Sequence, residues 1–225
     1  MLDSALVTWH LLAPLDDDER ERVLQAARPR EFAKGEVVFH ERDPGESLHL
    51  VRSGRLAVRV SLPSGDTATL SVLSPGDAFG ELALLSDSHE RTATVLALEQ
   101  SGTLSLSRED FLTLRRQHPG VEQLLVEMLA RRVDELSRSL LEALYVGVDR
   151  RVMRRLLDLA HAYQPDGTTP VTIPITQDDL AGMAGATRPT VNQVLQRLAA
   201  TGTVALSRGR IDLLDLPGLR RRSGL

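Results

Sequence analysis

Cysteine is absent from the 225 residues, which excludes disulfides, thiol nucleophiles and thiolate-held zinc or iron–sulfur clusters. Aromatic residues make up only 3% of the chain, so any core must be built from Leu, Val and Ala. The 42% hydrophobic content is sufficient for one. Lysine occurs once, at Lys34, and arginine carries the remaining basic chemistry. No run approaches ~18 uninterrupted apolar residues. Met1 to His10 also lacks a basic segment followed by an apolar one. The expectation is a soluble, cytoplasmic chain of one large or two ordinary domains, with no membrane partner.

The net charge of −4 is unevenly spread. Asp149 to Leu225 holds 11 arginines and 7 acids, a local +4, whereas the preceding 148 residues hold 16 basic and 24 acidic groups, a local −8. A basic C-terminal third on an acidic body suggests a module that faces nucleic acid. The Arg220-Arg221-Arg222 run is equally consistent with a solvated tail.

Three regions separate by pattern. From Glu31 to Leu106, short apolar runs alternate with breaks at Gly35, Pro44-Gly45, Ser53-Gly54, Pro63-Ser64-Gly65, Pro75-Gly76 and Ser101-Gly102. Evenly spaced short strands of this kind predict a β-barrel or sandwich, here preceded by a helix from Asp16 to Ala27. From Val121 to Tyr145 no Gly or Pro interrupts a long helix. Val126, Leu129, Val133, Leu136, Leu140 and Ala143 recur in it at steps of three and four. That spacing is a coiled-coil seam and predicts a parallel homodimer, with Leu124, Leu125 and Met128 turned toward the β region. The third region begins with a helix over Arg150 to Tyr163, the Pro165-Asp166-Gly167 turn and a strand at Val171-Thr172-Ile173.

Thr176 then reads as the N-cap of a helix over Gln177 to Ala184, with Asp178 and Asp179 in its first turn. Gly185 turns the chain, and Thr187 caps a helix over Arg188 to Ala200 that carries Pro189 where Pro is tolerated. Leu180, Ala184, Val191, Leu195 and Leu198 supply the apolar contact between the two helices. This is a helix-turn-helix, and Arg188 to Gln196 is its recognition helix. Two strands around Ser207-Arg208-Gly209-Arg210 form a wing that can lie along phosphates. Thr176, Thr187, Arg188, Thr190, Asn192, Gln193, Arg208 and Arg210 are the expected DNA-facing residues, of types able to bond base edges and phosphates.

Function in the first region centres on Gly80 to Thr94, Gly-Glu-Leu-Ala-Leu-Leu-Ser-Asp-Ser-His-Glu-Arg-Thr-Ala-Thr. Gly80 permits close backbone approach at the start of a short helix, and Arg91 adds a bidentate donor for an anion. Glu81 cannot bind a phosphate, so a hydroxyl pair such as a ribose edge is its partner. An anion clamp beside a hydroxyl acceptor suits a small nucleotide. The cassette resembles the phosphate-binding segment of cyclic-nucleotide-binding domains. Roll, long helix and winged helix in this order resemble the cyclic AMP receptor/fumarate-nitrate regulator family of bacterial transcription factors.

The resemblance implies an α+β chain: a jelly-roll-like β-roll sensor over 1–118, a dimerisation helix over 119–146 and a winged helix-turn-helix over 147–225. It implies no enzymatic activity. Its partners would be near-palindromic double-stranded DNA, a second copy of the chain and, for activation, RNA polymerase. Cyclic AMP would be the effector, held by Gly80, Glu81, Leu82, Arg91, Thr92, Arg132 and Ser137. Glu81 would take the ribose hydroxyl, and Arg91 with Thr92 the cyclic phosphate. Arg188 would read a guanine and Thr187 a backbone phosphate.

The chain departs from the family pattern in three places. Leu136 stands where a hydroxyl would touch adenine, Pro189 replaces a common glutamate, and Gln193 replaces a common arginine. Leu136 keeps open a regulator that needs no ligand or answers another anion, such as a cyclic dinucleotide. A haem sensor would require an axial ligand from His10, His40, His49, His89, His118 or His161, where a lone histidine is usually solvated. A nucleotide-hydrolysing enzyme would need a metal cluster or acid–base pair that Glu81 and Arg91 do not supply.

Overall fold

The computed structural model describes residues 7–63, 65, 67–164 and 166–224. The parts of the sequence reading that fall on residues 1–6, Ser64, Pro165 and Leu225 lie outside them. The chain divides into two compact units, Met1–Val60 with Leu70–Asp134, and Ser61–Thr69 with Glu135–Leu225.

In the first unit, helix α1 (Asp17–Ala26) starts at a capping box: Asp16 accepts from the Glu19 amide at 2.7 Å and Glu19 accepts from the Asp16 amide at 3.0 Å. The strands that follow are β1 (Arg28–Phe32), β2 (Val37–Phe39), β3 (Ser47–Ser53), β4 (Leu56–Ser61), β5 (Thr67–Leu73) and β6 (Ala78–Phe79). The five-residue helix α2 (Glu81–Leu85) separates them from β7 (Thr94–Ala97) and β8 (Ser101–Ser107). Two sheets result, ordered β1-β8-β3-β6 and β2-β7-β4-β5. Phe32, Val51, Leu56, Leu73, Phe79, Val95 and Ala97, drawn from both sheets, form one apolar cluster between them. This is the sandwich form of the predicted β region. It begins at Arg28 rather than Glu31, and the two-residue strand β6 lies between the Pro75-Gly76 break and Gly80.

A second cluster joins the outer side of the roll to the helices. It contains Trp9, Leu12, Leu48, Leu104, Phe111, Val121 and Leu125, with Leu124 and Met128 packed on it. Phe111 lies on α3 (Arg108–Gln117), a helix the sequence reading does not contain; Ser107 caps it by accepting from the Asp110 amide. The long helix α4 (Pro119–Tyr145) thus presents Leu124, Leu125 and Met128 to the roll, as its periodicity requires. Its other face is open: Val126, Val133, Leu136 and Leu140 are each at least half exposed, while Leu129 is half-buried.

The second unit carries the remainder of α4, then α5 (Val148–Tyr163), β9 (Val171–Ile173), α6 (Gln177–Ala184) and α7 (Arg188–Ala200). Strands β10 (Val204–Ser207) and β11 (Arg210–Leu213) and helix α8 (Leu216–Ser223) complete it. The bounds of α6, α7 and β9 are those read from the sequence, and Leu180, Ala184, Val191, Leu195 and Leu198 are all buried. Strands β10, β11 and β9 form one antiparallel sheet. The Arg220-Arg221-Arg222 run is solvent-exposed, as a solvated tail would be, but it is helical. It lies in α8, which Asp215 caps through the Gly218 amide at 2.8 Å and which buries Leu219.

Candidate functional site

The cassette is held in place by its own backbone. The Arg91 amide donates to the Asp43 carbonyl and the Arg91 carbonyl accepts from the Arg42 amide, both at 2.8 Å. The Gly45 amide donates to the His89 carbonyl at 2.7 Å, so the loop after α2 is pinned to the turn before β3. Gly80 caps α2 with φ of 89°, a backbone conformation that costs a side-chain-bearing residue dearly. A Cβ there would also lie 2.5 Å from Arg91 Nη1. The close approach expected of this glycine is therefore to the cassette arginine itself.

Glu81 and Arg91 are buried charged residues, at 0% and 4% exposure. Glu81 pairs through Oε1 with Arg132 of α4, whose Nη2 also donates to the Ala78 carbonyl at 2.9 Å. Among the described residues, Glu81 Oε2 is buried with no hydrogen-bond partner, and so is Arg91 Nε. Burial raises the Glu81 carboxyl above its ordinary value, with Arg132 acting in the opposite sense. Arg91 donates from Nη1 to the Gly80 carbonyl and from Nη2 to Ser47 Oγ, each at 3.0 Å. Its guanidinium lies 4.0 Å from the Phe39 ring centroid, a cation–π contact.

Of the expected ligand set, the structure brings Gly80, Glu81, Arg91 and Arg132 together. Leu82 and Thr92 flank them, exposed. Ser137 is exposed on the part of α4 assigned to the second unit. The orphaned oxygen and nitrogen fit a ligand with a hydroxyl for Glu81 and an anion for Arg91, because buried polar atoms without partners are rare and costly. Ser47, His49 and Thr103, absent from the sequence reading of the site, adjoin Arg91 through a run of hydrogen bonds. His49 corrects the reading of the histidines as solvated. It is 6% exposed, and burial, then the Arg91 and Arg30 charges, lower it to about 3.

The second unit carries a different surface. Thr176 caps α6 through the Asp179 amide, and the Asp179 carboxylate returns to the Thr176 amide at 2.6 Å. Gly185 turns the chain at φ of 57°, where a residue without Cβ is favoured. Arg151 of α5 secures that turn by donating to the carbonyls of Ala184 at 2.9 Å and Gly185 at 3.0 Å. Thr187 caps α7 and contacts Thr190 Oγ1 at 2.9 Å. A cleft of about 760 Å³ runs between the start of α7 and the wing, lined by Gln177, Asp178, Arg188, Asn192, Arg208 and Arg210 among others. Arg188, Gln193, Arg208 and Arg210 are exposed and Asn192 half-buried. Arg188 rests 3.6 Å from Asp178, and Arg210 rests 3.2 Å from Asp212.

Comparison with known proteins finds a domain family for each of these two regions. Residues 29–118 match the cyclic nucleotide-binding domain family and residues 150–222 the Crp-like helix-turn-helix domain family. The chain is 36% identical to the cyclic AMP receptor protein of Thermus thermophilus over 92% of each chain. It is 30% identical to the CRP-like cAMP-activated global transcriptional regulator of Mycobacterium tuberculosis, over 87% of this chain and 88% of that one. Among solved structures, the c-di-GMP responsive regulator CLP of Xanthomonas campestris superposes with a TM-score of 0.76 at 22% identity, covering 89% of this chain and all of that one. That last likeness is one of fold.

Proposed function

The chain belongs to the CRP/FNR family of transcription regulators, and from that premise we propose a homodimeric, sequence-specific DNA-binding protein controlled by a cyclic nucleotide, with cyclic AMP as the first candidate. One observation supports the nucleotide: Glu81 and Arg91 are both buried, yet Oε2 of the first and Nε of the second have no hydrogen-bond partner among the described residues. A ribose hydroxyl donating to Oε2 would leave the Oε1–Arg132 pair in place. The cyclic phosphate would meet the Arg91 guanidinium as a charge-assisted acceptor. Gly80, Leu82, Thr92 and Ser137 complete the proposed ligand set.

Arg132 ties this site to α4, one step from the open apolar row of Val126, Leu129, Val133, Leu136 and Leu140. An exposed apolar row this regular is a self-association surface. Ligand that favours one pairing of the two α4 helices would thereby favour one spacing of the two α7 helices. Coupling of this kind requires only that nucleotide prefer the DNA-competent dimer. In DNA, Arg188, Thr190, Asn192 and Gln193 would face the major groove, with Thr176 and Thr187 beside the backbone and Arg208 and Arg210 on phosphates. Such a regulator acts in the cytoplasm and carries no catalytic step. RNA polymerase is the further partner that activation would demand. Leu136, half exposed and without a polar atom, favours a second reading in which the effector is not an adenine nucleotide.

The test is selection of duplexes from a randomised pool, with and without cyclic AMP. The proposal expects a near-palindromic site with half-sites about 34 Å apart, recovered efficiently only with nucleotide. Recovery of the same site at equal efficiency without nucleotide would move the protein to the ligand-independent reading.

A further inference from the structure

Behind Arg91 the structure carries a line of side chains with no role in the function proposed above. Arg91 Nη2 reaches Ser47 Oγ at 3.0 Å, Ser47 Oγ lies 3.0 Å from His49 Nε2, and His49 Nδ1 lies 3.1 Å from Thr103 Oγ1. Thr103 is fully buried, and Arg91 and His49 are nearly so; Ser47, at the start of β3, is half-buried. The imidazole stacks on Phe79 at 5.0 Å between centroids and is tilted against Phe39, the ring that carries the Arg91 guanidinium.

Proton accounting gives the line a direction. A guanidinium only donates, so Ser47 Oγ accepts from Arg91. Thr103 Oγ1 sits in the interior with His49 Nδ1 as its side-chain partner, and a buried hydroxyl proton without an acceptor is costly. Thr103 therefore donates to Nδ1. A neutral ring then carries its proton on Nε2 and donates it to Ser47 Oγ. Both lone pairs of Ser47 are taken, one by Arg91 and one by His49. Its own proton is left to donate to a further acceptor.

We propose that Ser47 is a second donor to the anion held by Arg91, and that His49 and Thr103 are positioning residues that fix Ser47 and, through it, the guanidinium. The proposal rests on the cyclic-nucleotide reading of the Arg91 site and extends it to three residues. The ligand class is a phosphate diester. Its oxygens would meet a fixed fork from Arg91 and a hydroxyl whose rotation is already restricted, so little ordering remains to be done on binding.

The experiment combines cyclic AMP titration with nitrogen NMR of the imidazole in the full-length protein. Wild type is expected to show a neutral His49 with its proton on Nε2 at pH 7. Ser47→Ala is expected to weaken cyclic AMP about tenfold, the loss of one hydrogen bond to a charged group. His49→Phe keeps the ring on Phe79 and removes the donor, and is expected to weaken binding by about fivefold. His49→Gln, whose amide can donate to Ser47, is expected to recover most of that loss. The Ser47→Ala/His49→Phe double variant is expected to bind no more weakly than Ser47→Ala alone, because His49 acts only through Ser47. Unchanged affinity in Ser47→Ala, additive losses in the double variant, or a proton on Nδ1 would each overturn the proposal. If wild type binds no cyclic AMP, the nucleotide reading fails, and the imidazole signal still decides whether the relay exists.

Discussion

The proposed sensor site and the proposed DNA face both carry arginine, but they place it in opposite surroundings. Arg91 is buried at 4% exposure, with bonds to Gly80 and Ser47 and an aromatic ring beneath it. The side chain of Arg188 is 66% exposed, and that of Arg210 is 55% exposed. A buried, fixed guanidinium is oriented before ligand arrives, and its partners bear on folding as well as binding. Exposed guanidiniums contribute little to folding and reach phosphates by displacing counterions from DNA. Substitutions in the first region should therefore move stability and nucleotide affinity together. Those in the second should move only DNA affinity. The same contrast runs along α4, where Leu125 is buried against the roll and Val133 is 64% exposed.

The sharpest way to break the comparison is on α4. Leu125→Ala removes a core side chain and is expected to cost about 3 kcal/mol in urea unfolding. Val133→Ala is expected to leave monomer stability within about 0.5 kcal/mol while weakening the dimer in sedimentation. A stability loss as large at Val133 as at Leu125 would erase the distinction between the two faces.

Next in size is Arg132→Ala, which strands the buried Glu81 carboxylate. The expected loss is about 2 kcal/mol in the same assay, below the value for a wholly buried pair because the Arg132 side chain is 31% exposed. Glu81→Gln in the same background should recover part of it.

The third is a pH effect centred on His49. Its folded value is about 3, below the ordinary 6.5, chiefly through burial and then through Arg91 and Arg30. As pH falls below 6.5 the unfolded chain takes up this proton first, so stability is full above that value and lost below it. The slope from this group is about 1.4 kcal/mol per pH unit down to about pH 3. Unfolding of wild type minus that of His49→Phe isolates it, and a difference independent of pH between 4 and 6 would contradict the assignment.

Smallest in stability are Arg208→Ala and Arg210→Ala in the wing, each within about 0.5 kcal/mol of wild type. Their effect is expected in DNA binding, where each should lower the slope of affinity against salt by about one counterion. A melting shift as large as that of Arg132→Ala would place these arginines in the fold rather than on the DNA.

What could be read from sequence differed between these regions for a physical reason. Helices α6 and α7 announce themselves locally, through Thr176 and Thr187 as caps, Gly185 at the turn and apolar residues at helical spacing. Their ends fall where those signals put them. Glu81 and Arg91 were legible because one short segment carries both. The relay was not: Ser47 and Arg91 are 44 positions apart, and His49 and Thr103 are 54 apart. They meet because β3 pairs with β8, a register that no single strand reveals. The Glu81–Arg132 pair spans 51 positions and depends equally on tertiary packing. Helix α3 does carry a local signal, Ser107 as a cap ahead of Phe111 and Leu114 at helical spacing. In α8 the signal was Asp215 ahead of Leu219, masked by the arginines that follow it.

Calorimetric titration of nucleotide-stripped protein with cyclic AMP, cyclic GMP and cyclic di-GMP, repeated on Arg91→Ala, tests the central claim most directly. The account predicts micromolar or tighter binding of cyclic AMP by wild type and a loss of about a hundredfold or more in Arg91→Ala. Silence from all three ligands, or full affinity retained without Arg91, would contradict it.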